Sequence, residues 1–222
     1  MKTKSFYEFV ADHLSYFTIE TLKNAFSSNK FDVLECNLIN NENDILILEN
    51  TLVVVVVNNA VNSPESILKN NQTSLNMLKS IQYNFTLGIV DAASTGFELS
   101  DKEAGVGLAR KIGMDLALPH LSSIKSLIFC TDADTVVSND YIKKVKKYFN
   151  TNSAQAAVVG FGHLKSNDSV LNAAILHYEN YLKSTAMNMT KSGSPYGYVA
   201  MGSTMICTVK AYCAVGGMPR KK

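Results

Sequence analysis

Two aspartates separated by one residue, Asp132 and Asp134, follow the apolar run 126–130. A short apolar run followed by polar residues is typical of a buried strand that ends at the edge of a sheet. Carboxylate oxygens are the ligands that Mg²⁺ and Mn²⁺ prefer, and both ions share their other positions with water and phosphate oxygens. The pair therefore predicts a divalent-cation site for a phosphorylated ligand. The alternative is a turn with a helix cap, although Asp132 lies too early to cap the helix after Ser138 well.

Polar side chains also end two earlier apolar runs. Asn58 and Asn59 follow the run 51–57, and Asp91 follows the run 85–90. Asp and Asn are common turn residues, so each position alone is weak evidence for a site. Arginine occurs only at Arg110 and Arg220. The interior Arg110 is therefore a candidate partner for an anionic ligand.

Strand and helix patterns alternate along the chain and would bring these side chains together. The β-branched run 51–57 predicts a strand buried on both faces. The other predicted strands are 85–90, 126–130 and 156–160, and the predicted helices are 64–81, 102–118, a segment after Ser138, 169–189 and 210–214. This alternation predicts the α/β class, with a mostly parallel sheet and helices on both faces. Ligands bind such sheets at the carboxyl ends of the strands.

The composition limits the class of protein. The chain has 222 residues, of which 46% are hydrophobic and 18% charged, so it can bury the core of one domain and is not a disordered chain. A formal charge of +2 does not indicate a nucleic-acid partner. No apolar stretch reaches the ~20 residues of a membrane-spanning helix. The N-terminus lacks the apolar core of a signal peptide, and the four cysteines show no CxxC pair. We therefore expect a cytoplasmic protein, or one peripheral at the inner face of a membrane, without a transmembrane segment.

The first residues differ in pattern from the rest. Residues 1–44 combine apolar residues near helical spacing, among them Phe9 and Val10, with a polar Asn-rich stretch. We predict a short helical and loop extension there, followed by one domain over residues 45–222.

Four segments in this order resemble the family-2 glycosyltransferases of the GT-A fold. They are the strand ending at Asn58, the Asp91-Ala-Ala-Ser-Thr segment, residues 107–113 around Arg110, and the segment that ends in Asp132-Ala-Asp134. The resemblance covers about residues 51–220. It implies a GT-A, Rossmann-like sheet and an inverting transfer of sugar from a nucleoside-diphosphate sugar, with UDP favoured. It also implies a divalent cation, Mn²⁺ or Mg²⁺, and a glycan, lipid or protein acceptor that the sequence does not identify.

The resemblance also implies roles for single residues on the nucleotide side. Asp91 matches the aspartate that accepts the N3–H of a uracil-like base, and Asn58 matches the strand end that lines the nucleotide. The usual Pro-x-Tyr-Asn pattern is replaced here by Val-Val-Asn-Asn. Arg110 matches the basic residue near the diphosphate or base. Asp134 matches the direct metal ligand of a DxD motif, and Asp132 lies nearer the ribose or a metal-bound water.

On the acceptor side the resemblance assigns less. Gly216 and Gly217 match an acceptor-side loop, although on their own they are typical of the end of a helix. The family's general base is a carboxylate a few residues after that loop, whereas Met-Pro-Arg-Lys-Lys222 follows here and the last acidic residue is Glu179. We therefore expect the base after Lys222, in a longer protein of which this chain is a piece that binds donor. His163, just past the predicted strand 156–160, is a candidate for reaching the same cleft.

Two other functions remain open from the sequence. Residues 127–136 also match the pattern of haloacid dehalogenase-type phosphatases, in which Asp132 would be the covalent nucleophile and Asp134 the acid or base beside Mg²⁺. That motif normally ends the first strand of its fold and is followed by a later acidic cluster, whereas two strand–helix units precede it here and no such cluster follows Asp168. The other function is a non-catalytic module that binds a nucleotide sugar.

Overall fold

The protein is described from a computed structural model that covers residues 51–83, 85–133, 135–138, 140–165 and 167–219, with the backbone of residues 9–10. The strands are β1 (Phe9–Val10), β2 (Leu52–Asn58), β3 (Thr86–Ala92), β4 (Leu127–Phe129), β5 (Ala156–Val158) and β6 (Met205–Thr208). The helices are α1 (Glu65–Ser80), α2 (Val106–Ala117), α3 (Tyr141–Asn152), α4 (Ser169–Lys191) and α5 (Val209–Ala214). The predicted α/β class is confirmed.

The first sheet is parallel and has the order β1-β2-β3. All five valines of β2 are buried, because alternate side chains meet helices on opposite faces. Val53, Val55 and Val57 pack with Leu75 of α1. Val54 and Val56 pack with Ala109 of α2. The predicted coverage of this strand on both faces is therefore confirmed.

The second sheet has the order β4-β6-β5, with β6 antiparallel to both neighbours. On one face, Val145 and Phe149 of α3 pack with Ile206 of β6. On the other face, Met114 of α2 and Tyr212 of α5 pack with Ile128 and Cys130. Helix α2 thus packs against both sheets, with Ala109 on β2 and Met114 beside β4.

This arrangement differs from the single, mostly parallel sheet that the sequence predicted. The described residues form two three-stranded sheets, and the central strand of the second runs antiparallel. Strand β6 was missed because its four residues, Met-Ile-Cys-Thr, are too few to show an apolar period. It follows α4 and a 3₁₀ turn at Gly202–Thr204.

The prediction for residues 1–44 is outside the described residues except at two positions. Phe9 and Val10, predicted as part of a helical extension, form β1 instead and pair with Val55 and Val56. An aromatic and a β-branched residue suit a strand, and this pairing satisfies backbone groups along β2. Among the helices of the described ranges, none has the length and apolarity that crossing a bilayer requires.

Candidate functional site

Arg110 and Asp132, which the sequence placed in one site from positions 22 residues apart, form an ion pair. Arg110 Nη2 donates to Asp132 Oδ1 at 2.5 Å. The two side chains are only 9% and 17% exposed, so water screens the pair weakly. Hydrogen bonds between arginine and carboxylate are among the strongest in proteins because both partners are charged. The structure therefore fixes a guanidinium beside the first aspartate of the motif.

The two partners come from elements that meet between the sheets. Helix α2 begins after Gly105, whose φ of 143° favours glycine, and Arg110 shares the buried face of this helix with Ala109 and Met114. Beyond β4 the chain stays paired, since the Cys130 amide donates to the Met205 carbonyl at 2.9 Å. Asp132 follows two residues later. Asp132 therefore lies just beyond the carboxyl end of β4, where the sequence predicted it.

Gly202 gives the guanidinium the space that it occupies. A Cβ atom at this position would overlap Nη1, Cζ and Nη2 of Arg110. Any larger residue at position 202 would therefore have to displace the arginine or the 3₁₀ turn. The sequence showed Gly202 only as part of a C-terminal segment, because nothing in its local pattern indicates the distant arginine.

Several buried polar atoms near these strand ends have no hydrogen-bond partner among the described residues. They are Nε of Arg110, Nδ2 of Asn58, Oγ1 of Thr131 and Oδ1 of Asn71. Asn58 and Thr131 are each only 1% exposed. A buried polar atom left without a partner costs about 1–3 kcal/mol, so such atoms mark positions where a ligand or water is expected to bond. The sequence had named Asn58 and Arg110 but had missed Thr131 and Asn71.

Asn71, on helix α1, forms hydrogen bonds that hold the end of β2 in place. It is fully buried, and its Nδ2 donates to the Asn58 carbonyl at 2.9 Å and to Asn59 Oδ1 at 3.0 Å. Asn58 follows Val54 and Val56 on the face of β2 that meets α2, because side chains alternate along a strand. Arg110 belongs to α2, so the Asn58 side chain lies on the face of the sheet that carries the arginine. An asparagine in mid-helix is unfavourable, and this is the one sequence signal at Asn71, although Asn70 and Asn76 of the same helix share it.

Asp91 ends β3 in a turn of its own. Its Oδ1 accepts the amides of Ala93 and Ser94 at 3.1 and 2.9 Å, and its Oδ2 accepts the Ser94 hydroxyl at 2.6 Å. Partial burial raises the pKa of Asp91, but these hydrogen bonds outweigh it and hold the pKa below its usual value. The carboxylate is therefore ionised and fixed. This is the bonding of a turn-forming residue, which was the other interpretation of Asp91 from the sequence. A carboxylate can still accept a further bond from a ligand.

The predicted cation site is described only in part. Ala133 is buried beside Val57 and Leu75, whereas Asp134 lies outside the described residues. Within the described ranges, no group of three His, Cys, Asp or Glu side chains is placed to hold a metal ion. The assignment of Asp132 and Asp134 as ligands therefore remains a prediction.

Gly216 and Gly217 end helix α5. Their φ values are 78° and 82°, and their amides donate to the carbonyls of Cys213 and Tyr212. This is the helix stop that the two glycines alone predict. A Cβ at Gly217 would lie 3.3 Å from Nζ of Lys111, the residue that follows Arg110. The turn at Gly217 therefore lies against α2. The acceptor-side role of these glycines remains a prediction.

Comparisons with known protein families, with curated proteins and with solved structures found no match for this chain.

Proposed function

We propose that the chain is a glycosyltransferase domain of GT-A type over residues 45–222. It binds a nucleoside-diphosphate sugar, with UDP favoured, and a divalent cation, and it transfers the sugar with inversion to a glycan, lipid or protein acceptor. In this proposal the ends of β2, β3 and β4 bind the donor.

The buried ion pair of Arg110 with Asp132 supports the proposal most. Departure of the sugar leaves negative charge on the diphosphate, and a fixed guanidinium in a water-poor site stabilises such charge strongly. Nη2 is engaged with Asp132, whereas Nε has no partner among the described residues. Arg110 can therefore bond Asp132 through Nη2 and donate to a phosphate oxygen through Nε.

The donor atoms in this region suit Mn²⁺ or Mg²⁺. Asp132 and Asp134 would supply carboxylate oxygens, and the Thr131 hydroxyl is a further hard oxygen without a partner among the described residues. When bound, the cation would neutralise charge on the departing diphosphate. In the same arrangement Asn58 lines the nucleotide, and Asp91 accepts the N3–H of the base.

A thermal-shift panel tests the proposal. We expect UDP and UDP-sugars with Mn²⁺ to raise the unfolding midpoint, because ligands that bind only the folded state stabilise it. At a hundred times Kd the gain is about 2.7 kcal/mol, or roughly 5–10 °C for a domain of this size. Asp132→Asn should lose most of the shift. Asp140→Asn is the matched control, because Asp140 pairs with Lys144 at the start of α3. No shift with any nucleotide sugar would refute the proposal.

The two alternatives give different outcomes. A haloacid dehalogenase-type phosphatase would form a fluoroberyllate adduct at Asp132 with Mg²⁺. The units β2–α1 and β3–α2 precede Asp132, whereas the phosphatase motif normally ends the first strand. A non-catalytic module would give the thermal shift but neither hydrolyse nor transfer the bound sugar.

A further inference from the structure

Glu179 is the one buried side chain among the 23 residues of helix α4. Its Oε1 accepts both the backbone amide of His163 at 2.7 Å and the ring Nδ1 at 2.9 Å. Its Oε2 accepts Lys183 Nζ at 2.9 Å. Hydrogen bonds from His163 and Lys183 lower the pKa of Glu179 to about 2, so the carboxylate is ionised at neutral pH.

This contact fixes which ring nitrogen of His163 carries a proton. An ionised carboxylate can only accept hydrogen bonds, so Nδ1 must be the donor. In the neutral ring the other nitrogen, Nε2, is then a proton acceptor. No described residue forms a hydrogen bond with Nε2, and the side chain is 36% exposed. The rings of Phe161 and Tyr178 pack edge-on against the imidazole and restrict its orientation.

A histidine held by a buried carboxylate at Nδ1, with Nε2 left without a hydrogen bond to any described residue, is the arrangement of a general base. The carboxylate fixes the tautomer and stabilises the imidazolium that forms when Nε2 takes up a proton. Of the two bonds that Glu179 accepts from His163, the one from the ring is the one that orients Nε2.

His163 is also connected to the site at Arg110. It lies five residues beyond the end of β5. The Val159 amide donates to the Thr204 carbonyl at 3.0 Å, and Thr204 ends the turn whose Gly202 packs against Arg110. The loop that carries His163 therefore leaves the second sheet beside the segment that contacts the guanidinium.

We propose that His163, oriented by Glu179, is the general base of the sugar transfer in place of the carboxylate expected after Lys222, an inference that rests on the function proposed above. The hydroxyl proton of the acceptor moves to Nε2 and its oxygen forms the bond to the anomeric carbon. The bond from that carbon to the phosphate oxygen breaks, and the electron pair leaves with the diphosphate. Glu179 is a positioning residue, and Lys183 balances its charge from the side away from the ring.

The test measures UDP release from UDP-glucose, UDP-galactose and UDP-N-acetylglucosamine with Mn²⁺, with water as acceptor. His163→Gln should lower the rate at least ~100-fold, the usual scale for losing a general base, while calorimetric UDP affinity stays unchanged. His177→Gln is the matched control, since His177 is exposed on α4. Added imidazole should restore part of the rate to His163→Ala, which also shows that this variant is folded.

Glu179→Gln tests whether Glu179 positions the His163 ring, because a merely structural role of Glu179 would not change the kinetic constants selectively. Among the described residues, the charged and titratable groups at the His163 ring are Glu179 and Tyr178, with Lys183 beyond the carboxylate. Glutamine removes the ionised acceptor that orients the His163 ring, so kcat for UDP release should fall while KM stays unchanged. An unchanged kcat would refute the positioning role.

The remaining outcomes separate this inference from the proposed function. Absence of UDP binding by the unaltered chain would refute both. UDP binding without release, or release by His163→Gln equal to that of His177→Gln, would refute the base and leave donor binding intact. Loss of UDP affinity in His163→Gln would also refute the base, because it would place the ring on the donor.

Discussion

Arg110 connects three segments that are far apart in the sequence. It extends from α2, pairs with Asp132 after β4, and lies against Gly202 before β6. The geometry of the guanidinium makes this possible, since its planar donors point in several directions at once. A lysine could supply the charge at this position, but its donors all sit on one nitrogen and do not form the planar fork of a guanidinium.

The space at Gly202 gives the first prediction. Gly202→Ala should displace the guanidinium and weaken calorimetric UDP binding by about tenfold or more, since a charge-assisted hydrogen bond contributes roughly 1.5–3 kcal/mol. Gly160→Ala is the control, because a Cβ there meets nothing within 4 Å. Equal UDP affinity in the two variants would show that Arg110 does not depend on this contact.

The sequence predicted some of these side chains and not others for a clear reason. Asn58, Asp91 and Asp132 follow apolar runs, so their place at strand ends can be seen locally. Gly202 matters through its contact with the distant Arg110, and Thr131 through its burial, and residue spacing shows neither. Arg110 and Asp132 were placed in one site only through the resemblance to a family, and their ion pair was not predicted.

Among the elements, one long strand and one long helix were predicted to within a residue, whereas the helix predicted over 102–118 begins only at Val106. The run 51–57 became Leu52–Asn58, and the helix 64–81 became Glu65–Ser80. Continuous β-branched residues and an extended helical period both persist over many positions. Strands β1 and β6 have two and four residues, and tertiary pairing rather than local pattern determines them.

The packing of α1 on β2 gives a prediction for stability. Leu75 is fully buried against Val53, Val55 and Val57 of β2. Leu75→Ala should lower the free energy of unfolding by about 2–5 kcal/mol, because it removes packing and leaves a cavity. Leu176→Ala on α4 is the control, since Leu176 is 58% exposed and its loss should change stability by less than about 0.5 kcal/mol. Urea denaturation measures both values, and equal losses would contradict the packing described.

Helix α4 depends on a polar contact, which predicts acid sensitivity. Hydrogen bonds from His163 and Lys183 lower the pKa of Glu179 from 4.5 to about 2. A carboxylate with a lowered pKa in the folded state stabilises the fold above its unfolded pKa. This stability is lost as pH falls from about 4.5 to about 2.

The comparison of Glu179→Gln with the unaltered chain tests this acid sensitivity. The difference in unfolding free energy between the two should be largest near neutral pH and should shrink across the same interval. Glu65→Gln controls for the loss of one exposed carboxylate. A difference that does not change with pH would show that Glu179 does not anchor the helix.

At the scale of the whole molecule, α2 determines where the site lies. Ala109 packs on the first sheet, Met114 packs beside the second, and Arg110 lies between these two residues in the sequence. The guanidinium is therefore held at the junction of the sheets, beside the carboxyl end of β4. The α/β class followed from the sequence, whereas the division into two sheets depends on the antiparallel β6 and could not.

Calorimetric titration of UDP, with and without Mn²⁺, tests the central claim most directly. The unaltered chain should bind UDP more tightly with Mn²⁺, and Asp140→Asn should behave in the same way. Asp134→Asn should lose the effect of Mn²⁺, because the second carboxylate of the motif would be the direct ligand of the cation. An Asp134→Asn variant that binds UDP with Mn²⁺ as tightly as the unaltered chain would contradict the metal-dependent donor site.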